Sequence, residues 1–256
     1  MVVMNGKKFK QKYGTKFYKF IRKDRTHRGY VYRLGLNVDT KPFYPFGTCT
    51  EGGLYFTDIR NIMEYYGYGS YIGIITLPDD SQVYVEKNKF KADKLVVSEL
   101  LDNETSVLEV LKSSRENGCP WDEMLCAYAA QNGHLLVLRW ARENGCPWDG
   151  RTCNFAARNG HLNVLQWARE NDCPWDENTC NNAAENGHLN VLQWARENGC
   201  PWEKFTCSYA ALNGHLNVLQ WARENGCPWD ESTCSFAALN GHLNVLRWAR
   251  ENGCPE

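Results

Sequence analysis

The chain has 256 residues, 43% of them hydrophobic and 13% aromatic, which is enough for two packed units and too apolar for general disorder. Its formal charge of −1 hides an asymmetry, because residues 1–33 carry eleven Lys or Arg against one acid, Asp24, and the remainder is net acidic. The chain turns polar at Asn5-Gly6-Lys7-Lys8, with no secretory apolar core, and no apolar run approaches the ~18 residues of a membrane span, so a reducing, intracellular protein with no membrane span is expected.

Residues 1–14 read as a basic flexible tail. Across residues 7–28, Phe9, Tyr13, Phe17, Tyr18 and Phe20 interleave with cations, a composition suited to phosphate backbone with stacked rings, so nucleic acid or another anionic surface is one candidate partner. The competing reading is a solvated tail followed by an alternating edge strand at residues 16–20.

Residues 15–100 lack any repeat and read as a mixed α/β amino-terminal domain. Tyr30-Val31-Tyr32, Gly53-Leu54-Tyr55-Phe56, Tyr71-Ile72-Gly73-Ile74-Ile75 and Gln82-Val83-Tyr84-Val85 are strand-like, and residues 58–66 suggest a helix between two of them. His27-Arg28-Gly29, then Gly53-Leu54-Tyr55-Phe56, then Glu86 occur in the order of the His, Tyr and Glu motifs of ADP-ribosyltransferases. That resemblance implies His27 and Tyr55 holding the nicotinamide end of NAD, with Glu86 steering the ribose chemistry. The plainer reading of Tyr55 and Phe56 is strand packing.

From Cys119 onward the chain is a 27-residue unit written five times, beginning at Cys119, Cys146, Cys173, Cys200 and Cys227. A period in this range marks stacked units, each leaving an apolar face that its neighbour covers. Asp122 reads as an N-cap, with helix A over residues 123–131. Asn132-Gly133 is a turn, and His134 opens helix B. The apolar residues of helix B, Leu135, Val137, Leu138, Trp140 and Ala141, spread too widely around the axis for one-sided burial. Asn144-Gly145 then ends the helix at positive φ, and Asp172, replacing Gly in the second copy, is expected to adopt the same conformation. Eleven of the twelve cysteines fall at two fixed repeat positions, which fits small buried thiols rather than a disulfide framework.

The run T-C-x-x-A-A-x-N-G-H-L-N-V-L-x-W-A-R-E-N-G resembles the helix-turn-helix of ankyrin repeats. The resemblance implies an α+β amino-terminal domain followed by an all-α ankyrin-like helical repeat solenoid over residues 119–256, with residues 101–118 as a capping half-repeat. The units are shorter than the family's ~33 residues, and the shortfall lies at Cys-Pro-Trp-Asp, where ankyrin repeats extend a β-hairpin finger. A short connector is therefore expected. The C-P-W-D-E-x-T-C variant is similar to repeats of giant DNA viruses of the mimivirus type. The amino-terminal run F-Y-K-F-x-x-K-D, together with G-G-L-Y-F-T-D and V-Y-V-E, is similar to the domain that often precedes arrays in those proteins. A protein acting in the cytoplasm of a host cell is implied.

Variation among the copies concentrates at three positions. The sixth holds Met124, Arg151, Asn178, Phe205 and Ser232; the ninth holds Ala127, Asn154, Asn181, Ser208 and Ser235; the thirteenth holds Gln131, Arg158, Glu185, Leu212 and Leu239. Spaced i, i+3 and i+7, they form one stripe of helix A, on the side that lines the concave face in the ankyrin family. The stripe is the expected face for a protein partner, against a reading of unconstrained solvated positions. Position 10 (Tyr128, Phe155, Asn182, Tyr209, Phe236) reads as packing.

The recurring Cys-x6-Cys-x7-His, as in Cys119, Cys126 and His134, lacks the close Cys pairs and the four ligands of structural zinc, so neither metal nor cofactor is expected. Five copies of one Cys–His pair also argue against a nucleophilic site. The copy opened by Cys254-Pro255 is cut short, so the rod either stops with its last face exposed or belongs to a longer chain.

Overall fold

The structure, a computed structural model, describes residues 3–27, 29–46 and 50–255; Arg28, within the His27-Arg28-Gly29 motif, lies outside them. Two compact units are present, Met1–Trp121 and Asp122–Glu256.

In the first unit, β1 (Val3–Asn5) runs into helix α1 (Gly6–Tyr13), capped by Asn5 Oδ1, which accepts from Lys8 N at 2.9 Å. This corrects the expected flexible tail. The Phe9 side chain is wholly buried, its ring centroid 4.9 Å from Phe90 and 5.1 Å from Phe17, and Lys10 pairs with Asp79 at 2.7 Å. Phe9 and the half-buried Tyr13, whose ring centroid lies 5.5 Å from Phe90, anchor an otherwise cationic helix.

The remaining strands are β2 (Phe17–Ile21), β3 (Thr26–His27), β4 (Tyr30–Val31), β5 (Gly35–Val38), β6 (Leu54–Phe56), β7 (Tyr71–Thr76), β8 (Gln82–Val85), β9 (Phe90–Ala92) and β10 (Lys94–Leu101). They form two antiparallel four-stranded sheets, ordered β1-β8-β9-β6 and β2-β7-β10-β5, plus a β3-β4 ribbon. Phe17, Ile75, Leu95 and Val97 of one sheet share a core with Leu54, Phe56, Val83 and Phe90 of the other.

Strand β2 is an edge of its sheet, yet it is buried along its length rather than alternating. The helix expected at residues 58–66 is instead a 3₁₀ helix, Ile62–Tyr68. The Asp58 carboxylate accepts from Arg60 N (3.0 Å) and Asn61 Nδ2 (2.8 Å), folding residues 58–61 into a turn first. Helix α2 (Glu104–Glu116) closes this unit and packs on the 3₁₀ helix.

The second unit consists of paired helices. They are α3 (Glu123–Asn132) with α4 (Leu135–Glu143), α5 (Gly150–Arg158) with α6 (Leu162–Glu170), and α7 (Glu177–Glu185) with α8 (Leu189–Glu197). Then come α9 (Lys204–Leu212) with α10 (Leu216–Glu224) and α11 (Glu231–Leu239) with α12 (Leu243–Glu251). Asp122, Asp149, Asp176 and Asp230 cap the first helix of their pairs through the backbone N–H two residues on, while Glu203 makes no such bond. Gly145 ends its helix at φ 79°, and Asp172 takes the same place at φ 64°.

Val191, Leu192 and Ala195 of α8 are fully buried, as are their equivalents in α4, α6 and α10. Each buried Val or Leu contributes roughly 1.5–3 kcal/mol, which is why a lone helix pair with this sequence could not stand without neighbours.

Candidate partner-binding face

The connectors are bound tightly to the helices. In each, the cysteine thiol donates to a carbonyl of the preceding repeat, as in Cys146 Sγ to Asp122 O at 3.3 Å and Cys200 Sγ to Asp176 O at 3.4 Å. The next tryptophan is held from two sides. Trp148 meets Trp167 edge-on with ring centroids 5.9 Å apart, while the Arg142 guanidinium lies 4.2 Å from its ring centroid and donates to Cys146 O. Arg169, Arg196 and Arg223 repeat the arrangement over Trp175, Trp202 and Trp229.

The histidines reach across repeats. His161 Nε2 lies 3.1 Å from Gln131 O, and His188 Nε2 lies 3.1 Å from Arg158 O. The eleven cysteines of the repeats are buried free thiols. A neighbouring thiol, with burial, pushes Cys126, Cys153, Cys180 and Cys207 far above the ordinary thiol range. The recurring Cys and His are thus engaged in inter-repeat bonds, and Cys126, Cys153, Cys180 and Cys207 are poor nucleophiles.

The sequence-predicted stripe divides by position. At position 6, Phe205 is 39% exposed and Asn178 is exposed, while Met124, Arg151 and Ser232 are half-buried. Arg151 is also tied to Glu123 (2.8 Å) and Asp149 (2.7 Å).

Position 9 departs from the expectation. Ala127, Asn181 and Ser208 are buried and Asn154 is half-buried, leaving only Ser235 exposed. Thr179 Oγ1 donates to Asn154 Oδ1 and Thr206 Oγ1 to Asn181 Oδ1, both at 2.7 Å, and the Ser208 and Thr233 hydroxyls lie 3.4 Å apart. Asn154, Asn181 and Ser208 differ there because each answers a buried threonine of the next repeat, whereas Ala127 offers Thr152 no polar atom.

At position 13, Arg158 is exposed, and Gln131, Glu185 and Leu212 are half-buried. Leu239 is 80% exposed on α11, the last first-helix of the array.

Two contributors escaped the sequence reading. The Tyr209 ring, assigned to packing, stacks on Phe205 with centroids 6.0 Å apart, and Lys204 Nζ lies 5.6 Å from the Phe205 centroid. Position 5 was the available signal, because Lys204 stands where three copies carry Glu. Lys204, Phe205 and Tyr209 form an aromatic, cationic patch.

In the first unit, His27 and Tyr55 line one pocket, together with Lys19, Tyr65, Tyr68 and Lys89 among others. Glu86 is not part of that wall. Its side chain is 10% exposed and lies 3.6 Å from Lys89 Nζ. Four of the five rings expected to stack on nucleic acid are unsuited to it, because Phe9, Phe17, Tyr18 and Phe20 are all less than 9% exposed and serve packing, and the half-buried Tyr13 packs against Phe9 and Phe90. Among the described residues no helix is long and apolar enough to cross a membrane.

Comparison with known proteins agrees with this geometry. Residues 125–169 match the family described as ankyrin repeats in many copies. Three ankyrin repeat proteins of Acanthamoeba polyphaga mimivirus are similar to parts of the chain, at 39% identity over 59 residues, 35% over 91 and 36% over 67. The matches cover 23%, 33% and 25% of this chain and 19%, 27% and 33% of the relatives, so the shared stretch is a third or less of those proteins. With five helix pairs in tandem, each joined at a Gly-His turn, the second unit is an ankyrin-like helical repeat array, similar over the matched stretches to repeat proteins of mimivirus.

Proposed function

We propose that the array is a non-enzymatic adaptor that holds a host or viral protein against the first helices of its repeats. Ankyrin repeats are protein-interaction modules, and the carrying observation is the exposed Phe205 flanked by Lys204 and Tyr209. An apolar ring left in water on a rigid scaffold is the kind of anchor that dominates interfaces. Arg158, Asn178, Leu212 and Leu239 extend the face to neighbouring repeats. The relatives' origin supports a giant-virus protein working in the host cytoplasm, and the sequence of α2 echoes the second helix of the repeats.

The test is recovery of a cross-linked partner from infected-host lysate with Phe205→Ala plus Leu212→Ala. Partner yield should fall several-fold while thermal unfolding stays within a few degrees of the parent. Undiminished yield would sink this face.

A second reading places an NAD-using transferase in the first unit, favoured by His27 and Tyr55 sharing a pocket. It requires Glu86 to leave Lys89 and reach that pocket. Heat on titrating NAD, and labelling lost in Glu86→Gln, are its expected signs; a flat titration ends it.

A further inference from the structure

Two neighbouring first helices differ from the others in what they show to solvent. At the sixth, tenth and thirteenth repeat positions, α9 carries Phe205, Tyr209 and Leu212, and α11 carries Ser232, Phe236 and Leu239. Five of these six are apolar or aromatic, and each is exposed or half-buried. At the same positions α7 carries Asn178, Asn182 and Glu185, so the apolar surface stops at the boundary between α7 and α9. The helices α9 and α11 lie side by side, with the Ser208 and Thr233 hydroxyls 3.4 Å apart between them. Spaced i, i+4 and i+7, each stripe runs about 10 Å, two helical turns.

The chemistry of this surface selects its occupant. An extended peptide laid on it would bury backbone N–H and C=O groups against rings and leucines, and the first helices have no free strand edge to receive them. A helix satisfies those groups internally and meets the surface with side chains alone. Two turns with apolar residues three and four apart match the length of the stripes.

Charge narrows the class further. Residues 122–256 hold sixteen Asp or Glu against ten Lys or Arg, so the array as a body attracts cations. Beside the patch, Lys204 is already paired with Asp230 at 2.7 Å, whereas among the described residues Glu185 of α7 and Glu231 of α11 form no ion pair. The exposed Arg158 stands on α5, two first helices away. Resting on the adaptor reading above, we infer that the partner presents an amphipathic helix with a basic polar face. Its apolar stripe sits on α9 and α11, and its lysines or arginines turn towards Glu185 and Glu231.

The experiment selects phage-displayed random peptides of about sixteen residues, some four turns of helix, against the full chain. Counter-selection uses Phe205→Ala plus Leu239→Ala. Enriched peptides should be net positive, carry apolar residues at i, i+3 or i+4 and i+7, and add helical signal to the far-ultraviolet difference spectrum on binding. Their affinity should fall at least about tenfold in Leu239→Lys, a change at a site 80% exposed where the fold has little to lose. Glu185→Gln should weaken them severalfold and flatten their salt dependence. Thermal unfolding within a few degrees of the parent separates loss of the surface from loss of the fold. Enriched peptides that are acidic, interrupted by proline or extended when bound would overturn the helix and leave the adaptor reading standing, because that reading is judged by recovery from lysate alone. Unchanged affinity in Leu239→Lys, or no enrichment that depends on Phe205, would overturn it as well.

Discussion

The His215 ring lies directly over Gly187, where a Cβ would come within 2.7 Å of its Nδ1, and its Nε2 sits 3.1 Å from Glu185 O. Glycine at this turn therefore answers two demands, a positive φ of 74° and a close approach from the next repeat. Gly199, at φ 83°, meets only the first, with open space where a Cβ would go. Gly199→Ala should cost about 1–2 kcal/mol from backbone conformation alone. Gly187→Ala should cost a further 1–3 kcal/mol or so from crowding. Urea unfolding of the two variants checks the difference, and equal losses would mean that the histidine swings away freely.

Asp172 occupies a left-handed position that glycine fills in the other repeats. Asp172→Gly should therefore stabilise the array by roughly 0.5–1 kcal/mol, read as a higher urea midpoint at unchanged slope.

Glu203 stands where aspartate caps the other four first helices, and its longer side chain makes no cap bond. Glu203→Asp is expected to raise stability by about 0.5–1 kcal/mol. A neutral or negative change would show that the Lys204 to Asp230 ion pair at 2.7 Å already secures that end of the helix.

Acid should weaken the array. Hydrogen bonding from Arg151 holds the Asp149 carboxyl below the usual carboxylate range, and Lys204 does the same for Asp230. A folded-state pKa below the unfolded one means that the unfolded chain binds protons first as pH falls. The stabilisation is thus present above about pH 4 and is lost below it, as the pH passes down through the lowered folded-state values. Both pairs are partly solvated, so the effect is small and salt-sensitive. Arg151→Met should flatten the acid limb of a plot of melting temperature against pH, and an unchanged limb would assign the acid loss to other carboxylates.

Much of the array is legible in the sequence because its determinants are local and repeated. Asp122, Gly145 and even the exceptional Asp172 behave as their chemistry requires within a few residues. The first unit is harder to read, since β10 is held in place by pairing with β5 and β7, both distant in sequence. Helix α1 is hidden because Lys7, Lys8, Lys10 and Lys12 outweigh the two residues, Phe9 and Tyr13, that dock it. The stripe is only half legible for a different reason. Variation suggests exposure, yet Asn181 and Ser208 vary against buried threonine hydroxyls, whereas Phe205 varies in water. Sequence displays the tolerance of a position without saying whether solvent or a neighbour grants it.

The paired indoles of the connectors have a spectroscopic consequence. All ten tryptophans fall at residue 121 or later, and eleven of the thirteen tyrosines fall before it. Excitation at the red edge of the absorption band therefore sees the repeats almost alone, and four edge-on Trp pairs at 5.9–6.0 Å should give coupled near-ultraviolet circular dichroism. Tyrosine signals belong mostly to the sheets. The chain carries separate optical reporters for its two halves, so their melting can be followed independently in one cuvette without any added label.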